Sequence, residues 1–257
     1  MSTLSYAHGA SSIPLLGETI GDNLRRTVDA HGDRDALVVR HQHFRASYRE
    51  LWDLVTRAAR GLVARNVKPR DRVGVWAPNR YEWVVLQYAT ARVGAILVNI
   101  NPAYKAVELE FALNTSGVSL LCLARGFRQT DYLALLQEVR GRCPALRDAL
   151  VIDTEFEQLL AAGDRVSDAQ LAAAERRLQC DDPINIQYTS GTTGVPKGAT
   201  LSHHNILNNA YFVAERLGYT ESDRVCVPVP FYHCFGMVLG NLGSTTRGAC
   251  VVVPGES

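Results

Sequence analysis

The chain has 257 residues, 47% of them hydrophobic and 21% charged, with 27 Lys and Arg against 26 Asp and Glu. That length and apolar content suit a large soluble α/β core of one or two domains. The near-zero net charge excludes an overall field that would draw the chain to nucleic acid. Local arginine groups, Arg25, Arg26 and Arg34 and then Arg140, Arg142 and Arg147, are interleaved with acidic residues and read as solvated helix faces and loops.

In chain order, Thr19 precedes apolar Ile20, Leu24 and Val28 at a spacing of four, and Gly32 stands where a helix would stop. Ser47 with Glu50 is a capping-box pattern, and Leu51, Leu54, Val55, Ala58 and Leu62 then mark one face of a longer helix. Val73 and Val75 begin a strand that ends at Pro78. Asn79 and Glu82 repeat the cap pattern before a helix with Trp83, Leu86, Ala89 and Val93, closed by Gly94. A buried strand is expected over 95–100, a helix over 107–113, a strand over 120–123, a helix over 130–139 and a strand over 149–152. Trp83 to Ile100 is the longest apolar stretch, yet Gln87, Arg92, Gly94 and Asn99 interrupt it, so it reads as helix then strand and not as a membrane span.

Between Asp153 and Asp182 alanine and charge dominate, which predicts a surface run with one helix near 169–178. A sub-domain boundary is expected there, dividing residues 1–183 from 184–257. Beyond it the alternation resumes: a strand at 184–188, a helix from Ser202 to Leu217, and strands at 225–229 and 249–253. Strands alternating with helices argue for an α/β fold with mainly parallel sheets flanked by helices, because parallel strands need crossovers to join them.

The six cysteines, Cys122, Cys143, Cys180, Cys226, Cys234 and Cys250, never come closer than eight positions, so no paired-cysteine zinc or redox motif is present. Several lie in apolar runs and read as small core residues. Met1 to Ser12 lacks the blocks of a signal peptide and carries no arginine of the transit-peptide kind. A reducing, cytoplasmic compartment is therefore expected.

One stretch carries chemistry. From Tyr188 to Gly198 the sequence reads Tyr-Thr-Ser-Gly-Thr-Thr-Gly-Val-Pro-Lys-Gly, which gathers three glycines, the hydroxyls of Thr189, Ser190, Thr192 and Thr193, and Lys197. A polyphosphate needs many donors at short range: glycines let backbone N–H groups approach, hydroxyls add donors, and the lysine adds a mobile charge. The Walker pattern is excluded, since Pro196 precedes the lysine and Gly198 follows it. Pro196 also biases Val195 toward extended backbone, against a helix opening at the lysine. The blander reading of the same composition is a hydrophilic turn with a solvated lysine.

This stretch resembles, nearly residue for residue, the phosphate loop of the adenylate-forming enzymes, a family that includes acyl-CoA synthetases, luciferases and peptide-synthetase adenylation domains. The resemblance implies that Thr189, Ser190, Gly191, Thr192, Thr193, Gly194, Val195, Pro196 and Lys197 bind ATP phosphates. A second family motif follows at Pro230-Phe231-Tyr232-His233-Cys234-Phe235-Gly236-Met237, and by the same resemblance His233, Phe235 and Gly236 belong to the acyl pocket. A lone histidine is otherwise more often a satisfied core residue. Upstream, Trp76 to Trp83 and Asn99 to Tyr104 look like members that activate fatty acids. There Trp76 and Trp83 read as core, Asn101-Pro102 reads as a turn at a strand end, and all four are left out of the site.

The resemblance covers roughly Gly17 to Pro254 and implies ATP-dependent activation of a medium- or long-chain fatty acid. The acid becomes an acyl-adenylate and then an acyl-CoA, with ATP, Mg2+ and CoA taking part. An aryl-acid ligase, a peptide-synthetase adenylation domain or a non-catalytic nucleotide-binding fragment are the alternatives. Full-length members carry further segments for adenine, magnesium and ribose, and a mobile domain with a lysine, none of which occurs here. The sequence thus reads as a piece of a longer polypeptide or one part of a split protein. No catalytic residue and no metal ligand are assigned within it. A complementary chain or a homo-oligomer is the expected macromolecular partner.

Overall fold

The structure, a computed structural model, describes residues 12–189 and 196–256. Its strands are β1 (Asp35–Val39), β2 (Phe44–Ser47), β3 (Arg72–Trp76), β4 (Ile96–Asn99), β5 (Val118–Leu123) and the short pair β6 (Gly126–Phe127) and β7 (Thr130–Asp131). They continue with β8 (Asp148–Val151), β9 (Pro183–Thr189), β10 (Lys197–Ser202), β11 (Arg224–Cys226) and β12 (Cys250–Val253). The helices are α1 (Ile20–His31), α2 (Tyr48–Ala64), α3 (Tyr81–Val93), α4 (Ala106–Ser116), α5 (Tyr132–Val139), α6 (Ile152–Ala162), α7 (Asp168–Glu175) and α8 (His203–Leu217). A π-helix spans Phe235–Leu242.

Two mixed sheets result. The larger has the order β10-β9-β4-β3-β5-β8, parallel throughout except for the antiparallel β9–β10 pair. Its middle strands are apolar and enclosed; all six residues of β5, Val-Ser-Leu-Leu-Cys-Leu, are buried, as expected of a parallel strand covered on both faces. The smaller sheet has the order β11-β12-β1-β2, with β12 pairing β1 in parallel through Leu37↔Val251 and Val39↔Val253. Helix α3 touches β3 and β4 of the larger sheet and β1 of the smaller. It is buried on every side from Glu82 to Val93, because it is packed between layers and has no solvent face.

Local signals explain the helix starts. Thr19 accepts from the Asp22 N–H and Ser47 from the Glu50 N–H, each within a capping box, and Ser202 does the same with Asn205 for α8. Buried His203 then accepts the Ile20 N–H on Nδ1 at 3.1 Å, joining the start of α8 to the start of α1.

Some expectations are corrected. Asn79 does not cap α3, whose N-cap is Arg80 without a side-chain bond; its amide is spent on residues 229–231, described below. The stretch after Asp153 is not a surface run with one helix, since α6 buries Ile152, Phe156, Leu159 and Leu160. Strands β1, β2 and β10 were not foreseen, and β11 stops at Cys226. As for the expected division at 183/184, β9 pairs with β4, and β12 pairs with β1, so each sheet draws strands from both sides of it.

Candidate functional site

The two described flanks of the stretch from Tyr188 to Gly198 sit at the edge of the larger sheet. β9 and β10 are the two arms, in antiparallel register with Thr189 opposite Lys197 and Tyr188 opposite Gly198. Thr189 Oγ1 donates to the Lys197 carbonyl at 3.4 Å, and both residues are exposed. Lys197 opens a strand, in keeping with the extended bias set by Pro196. Ser190, Gly191, Thr192, Thr193, Gly194 and Val195 lie outside the described residues.

Beside these arms is a cavity of about 540 Å³, within the range of small-molecule sites. Gln187, Tyr188 and Thr189 of β9 and Pro196, Ala199 and Leu201 form one wall, Tyr232, His233 and Cys234 another, and Asn101 with Tyr104 a third. The structure thus brings Thr189, Pro196 and His233 to one space. Phe235 and Gly236 are not among its lining residues. Phe235 is 54% exposed. A Cβ on Gly236 would stand 2.3 Å from the Pro230 carbonyl oxygen, so this position admits only glycine without a backbone shift. Lys197 is likewise outside the lining, at the mouth of the hairpin.

Each wall is braced from beneath. For the His233 loop, Asn79 Nδ2 donates to Val229 O at 2.9 Å and its Oδ1 accepts the Phe231 N–H at 2.6 Å. Asn99 Nδ2 lies 3.1 Å from Tyr232 O and 3.1 Å from Met237 Sδ, and Gln187 Nε2 reaches the same sulfur at 3.1 Å. Asn185 donates to Asn99 Oδ1 at 2.8 Å, which orients the amide. Gln87 donates to Met237 O at 3.3 Å and accepts from Asn241 at 2.6 Å. All six amides are buried, where each bond made spares a desolvation cost of about 1–3 kcal/mol. They couple the start of the π-helix to β4, β9 and α3.

The third wall rests on Trp76. Its Nε1 donates to Asn101 O at 3.1 Å, and its ring stacks on Tyr132 at 3.8 Å between centroids, while Tyr132 OH donates to Pro102 O at 2.7 Å. Trp76 and Trp83 are both fully buried. Asn101, left out of the expected site, lines the cavity together with Tyr104 on the turn after β4. Sequence reasoning also passed over Gln187 and Tyr188, which a strand period of two cannot separate from core.

The polar groups in the cavity are mostly neutral donors. His233 Nδ1 accepts the Phe235 N–H at 3.1 Å, so a neutral ring carries its proton on Nε2. Burial raises the Tyr188 phenol, and burial together with the neighbouring Tyr188 raises that of Tyr104, so both remain protonated at neutral pH. A space lined by neutral donors, the Thr189 hydroxyl among them, and by apolar strand residues suits a ligand with an anionic end and an apolar body.

Among known proteins, the medium-chain acyl-CoA ligase ACSF2, mitochondrial, of Danio rerio is 42% identical over 98% of this chain and 45% of its own length. That of Homo sapiens is 38% identical over 97% of this chain and 45% of its own. The chain therefore spans about 45% of the length of the curated relatives it matches. In fold it matches a long-chain-fatty-acid-CoA ligase (FadD1) from Archaeoglobus fulgidus with a TM-score of 0.82 at 24% identity, over 99% of this chain and 50% of that one. The AMP-binding enzyme family matches residues 24–257, and with the hairpin and the cavity it flanks, the chain belongs to that family.

Proposed function

We propose that this chain is the phosphate- and acyl-binding part of an acid–thiol ligase that activates a fatty acid with ATP and passes it to CoA. The observation that carries this reading is the single cavity shared by both flanks of the hydroxyl- and glycine-rich hairpin and by His233. The relatives' names add the acid class, medium-chain acyl groups.

A carboxylate is a poor acylating agent until it holds a good leaving group. In the proposed reaction it attacks the α-phosphate of ATP and the bond to pyrophosphate breaks; the CoA thiol then attacks the acyl carbon of the acyl-adenylate, forming the thioester C–S bond as the C–O bond to AMP breaks. Lys197 and the hairpin hydroxyls would stabilise charge on the departing pyrophosphate, work of the electrostatic kind that phosphate clamps perform. His233, with Nε2–H free to donate, would orient the carboxylate end of the acid, while Ala199 and Leu201 give its apolar body a surface. Magnesium fits less well as a resident ion: among the described residues none that lines the cavity is acidic, so it is read as arriving with ATP as substrate.

A division of labour follows the chain. Residues 184–257 supply both motifs, and residues 1–183 supply Asn79, Asn99 and the 101–104 wall that hold them. Reducing conditions suit six free cysteines, of which Cys226 and Cys234 are exposed.

The test uses the polypeptide extended to the length of its relatives. Acid-dependent ATP–pyrophosphate exchange should run with medium- and long-chain fatty acids in preference to aryl acids, and Lys197→Ala should slow it about a hundredfold. Exchange driven by aryl or amino acids alone would replace the acid class, and an unchanged rate in Lys197→Ala would remove the role given to the lysine. This chain alone should bind ATP without exchange.

A further inference from the structure

We propose that Cys180, Asp181 and His204 form a site for a thiophilic divalent cation of the zinc type, separate from the cavity. One donor atom from each, the thiol sulfur, a carboxylate oxygen and an imidazole nitrogen, lie within 4.8 Å of one another. His204 Nδ1 and Asp181 Oδ1 are 3.1 Å apart. Two nitrogen or oxygen ligands on a tetrahedral zinc, each about 2.0–2.1 Å from the metal, stand roughly 3.3 Å apart, so this pair already has the required spacing.

The ligands sit on backbone that is locked in place. His204 N–H donates to the Cys180 carbonyl at 2.8 Å and His203 N–H to the Asp182 carbonyl at 3.3 Å. Asp182 also accepts the Gln179 N–H on its carboxylate at 2.8 Å. The turn before β9 and the first turn of α8 are thus joined by two backbone bonds, and the third closes the turn itself, all independent of any ion. Cys180 and His204 are half-buried and Asp181 is exposed, which leaves a fourth position open to water.

The donor set selects the cation. Thiolate and imidazole favour zinc-like metals, whereas magnesium takes oxygen ligands in octahedral geometry. One thiolate and one carboxylate neutralise a divalent charge, and coordination releases the Cys180 thiol proton to solvent. β9 runs from Pro183 to Thr189, so at about 3.3 Å per residue the site lies roughly 20 Å from the hairpin end. The ion would brace the roots of β9 and α8.

The metal-free chain, reduced with a phosphine, is titrated with Co2+. One equivalent should produce a thiolate-to-cobalt charge-transfer band with tetrahedral d–d bands, and Zn2+ should displace it. Cys180→Ser should abolish the charge-transfer band and His204→Ala should weaken Co2+ binding about tenfold or more, while Cys226→Ser, at an exposed thiol elsewhere, should keep both. Circular dichroism checks that each variant is folded. No thiolate band in the parent chain, or a band that persists in Cys180→Ser, overturns the proposal.

Discussion

The carboxylate of Asp153 accepts the Arg125 N–H at 2.6 Å and faces Arg80 Nη1 at 3.0 Å, while Arg80 also pairs with buried Glu82 at 2.8 Å. Partial burial alone would raise the Asp153 carboxyl; the Arg125 N–H and the Arg80 guanidinium outweigh it and hold it below the usual carboxylate range. A lowered folded value means that the stabilisation is present above the unfolded value of about 3.9 and is lost as pH falls through the folded one. Asp153→Asn should therefore cost about 1 kcal/mol near neutrality, a figure reduced for its exposure. The gap to the parent chain should close once the pH is well below the lowered folded value. Urea unfolding at both pH values checks this, and an equal gap at each would assign the effect to shape and not charge. At this scale glycine, hydroxyl and lysine made the stretch from Tyr188 to Gly198 stand out in the sequence as the proposed phosphate site. The role of Asn79 was not legible: Asn79 followed by Glu82 is a cap pattern, and only tertiary contact reveals that its amide holds residues 229–231.

Helix α2 meets α6 and the turn after it at glycines, Gly61 against the backbone of Leu159 and Gly163 against that of Arg57. A Cβ on Gly61 would stand 2.1 Å from the Leu159 carbonyl oxygen, and one on Gly163 would stand 2.6 Å from Arg57 O. Gly61 is inside α2, where an isolated helix would gain from alanine. Here Gly61→Ala should instead destabilise by about 2 kcal/mol, because α6 must move off the core. A thermal or urea melt no lower than that of the parent would mean that α6 is free to shift. Legibility varied element by element for physical reasons. In α6 the buried Ile152, Phe156, Leu159 and Leu160 keep a helical period, but Asp153, Glu155 and Glu157 between them gave the stretch the look of surface. β10, Lys-Gly-Ala-Thr-Leu-Ser, offers only the short alternation of Ala199 and Leu201, too little to mark a strand, and it forms because the edge of β9 offers it partners. The π-helix has no period of its own to read; its register depends on the amides that grip Met237.

Across the molecule, β12 is the inner strand that joins β11 to β1. Val251 and Val253 are fully buried in it. A chain ending at Gly248 would expose the facing sides of β1 and β11 and forfeit about 1.5–3 kcal/mol for each large core side chain removed, a substantial share of the 5–15 kcal/mol that holds a typical domain. The shortened chain should lose its cooperative unfolding transition and bind a hydrophobic dye; a sharp transition near that of the parent would show that the larger sheet carries the stability. The α/β class was legible from alternation, whereas the two-sheet arrangement was not, since pairing between Leu37 and Val251 leaves no mark in either local sequence.

That pairing also orders events on the ribosome. The parallel strands β3, β4, β5 and β8 have all been made once Val151 emerges, but β1 waits for Val253. At about 5–20 residues per second, the hundred residues between them take roughly 5–20 s to translate. Through that interval the nascent chain carries a finished β1 with an unsatisfied edge, which stays open to unwanted pairing until β12 arrives.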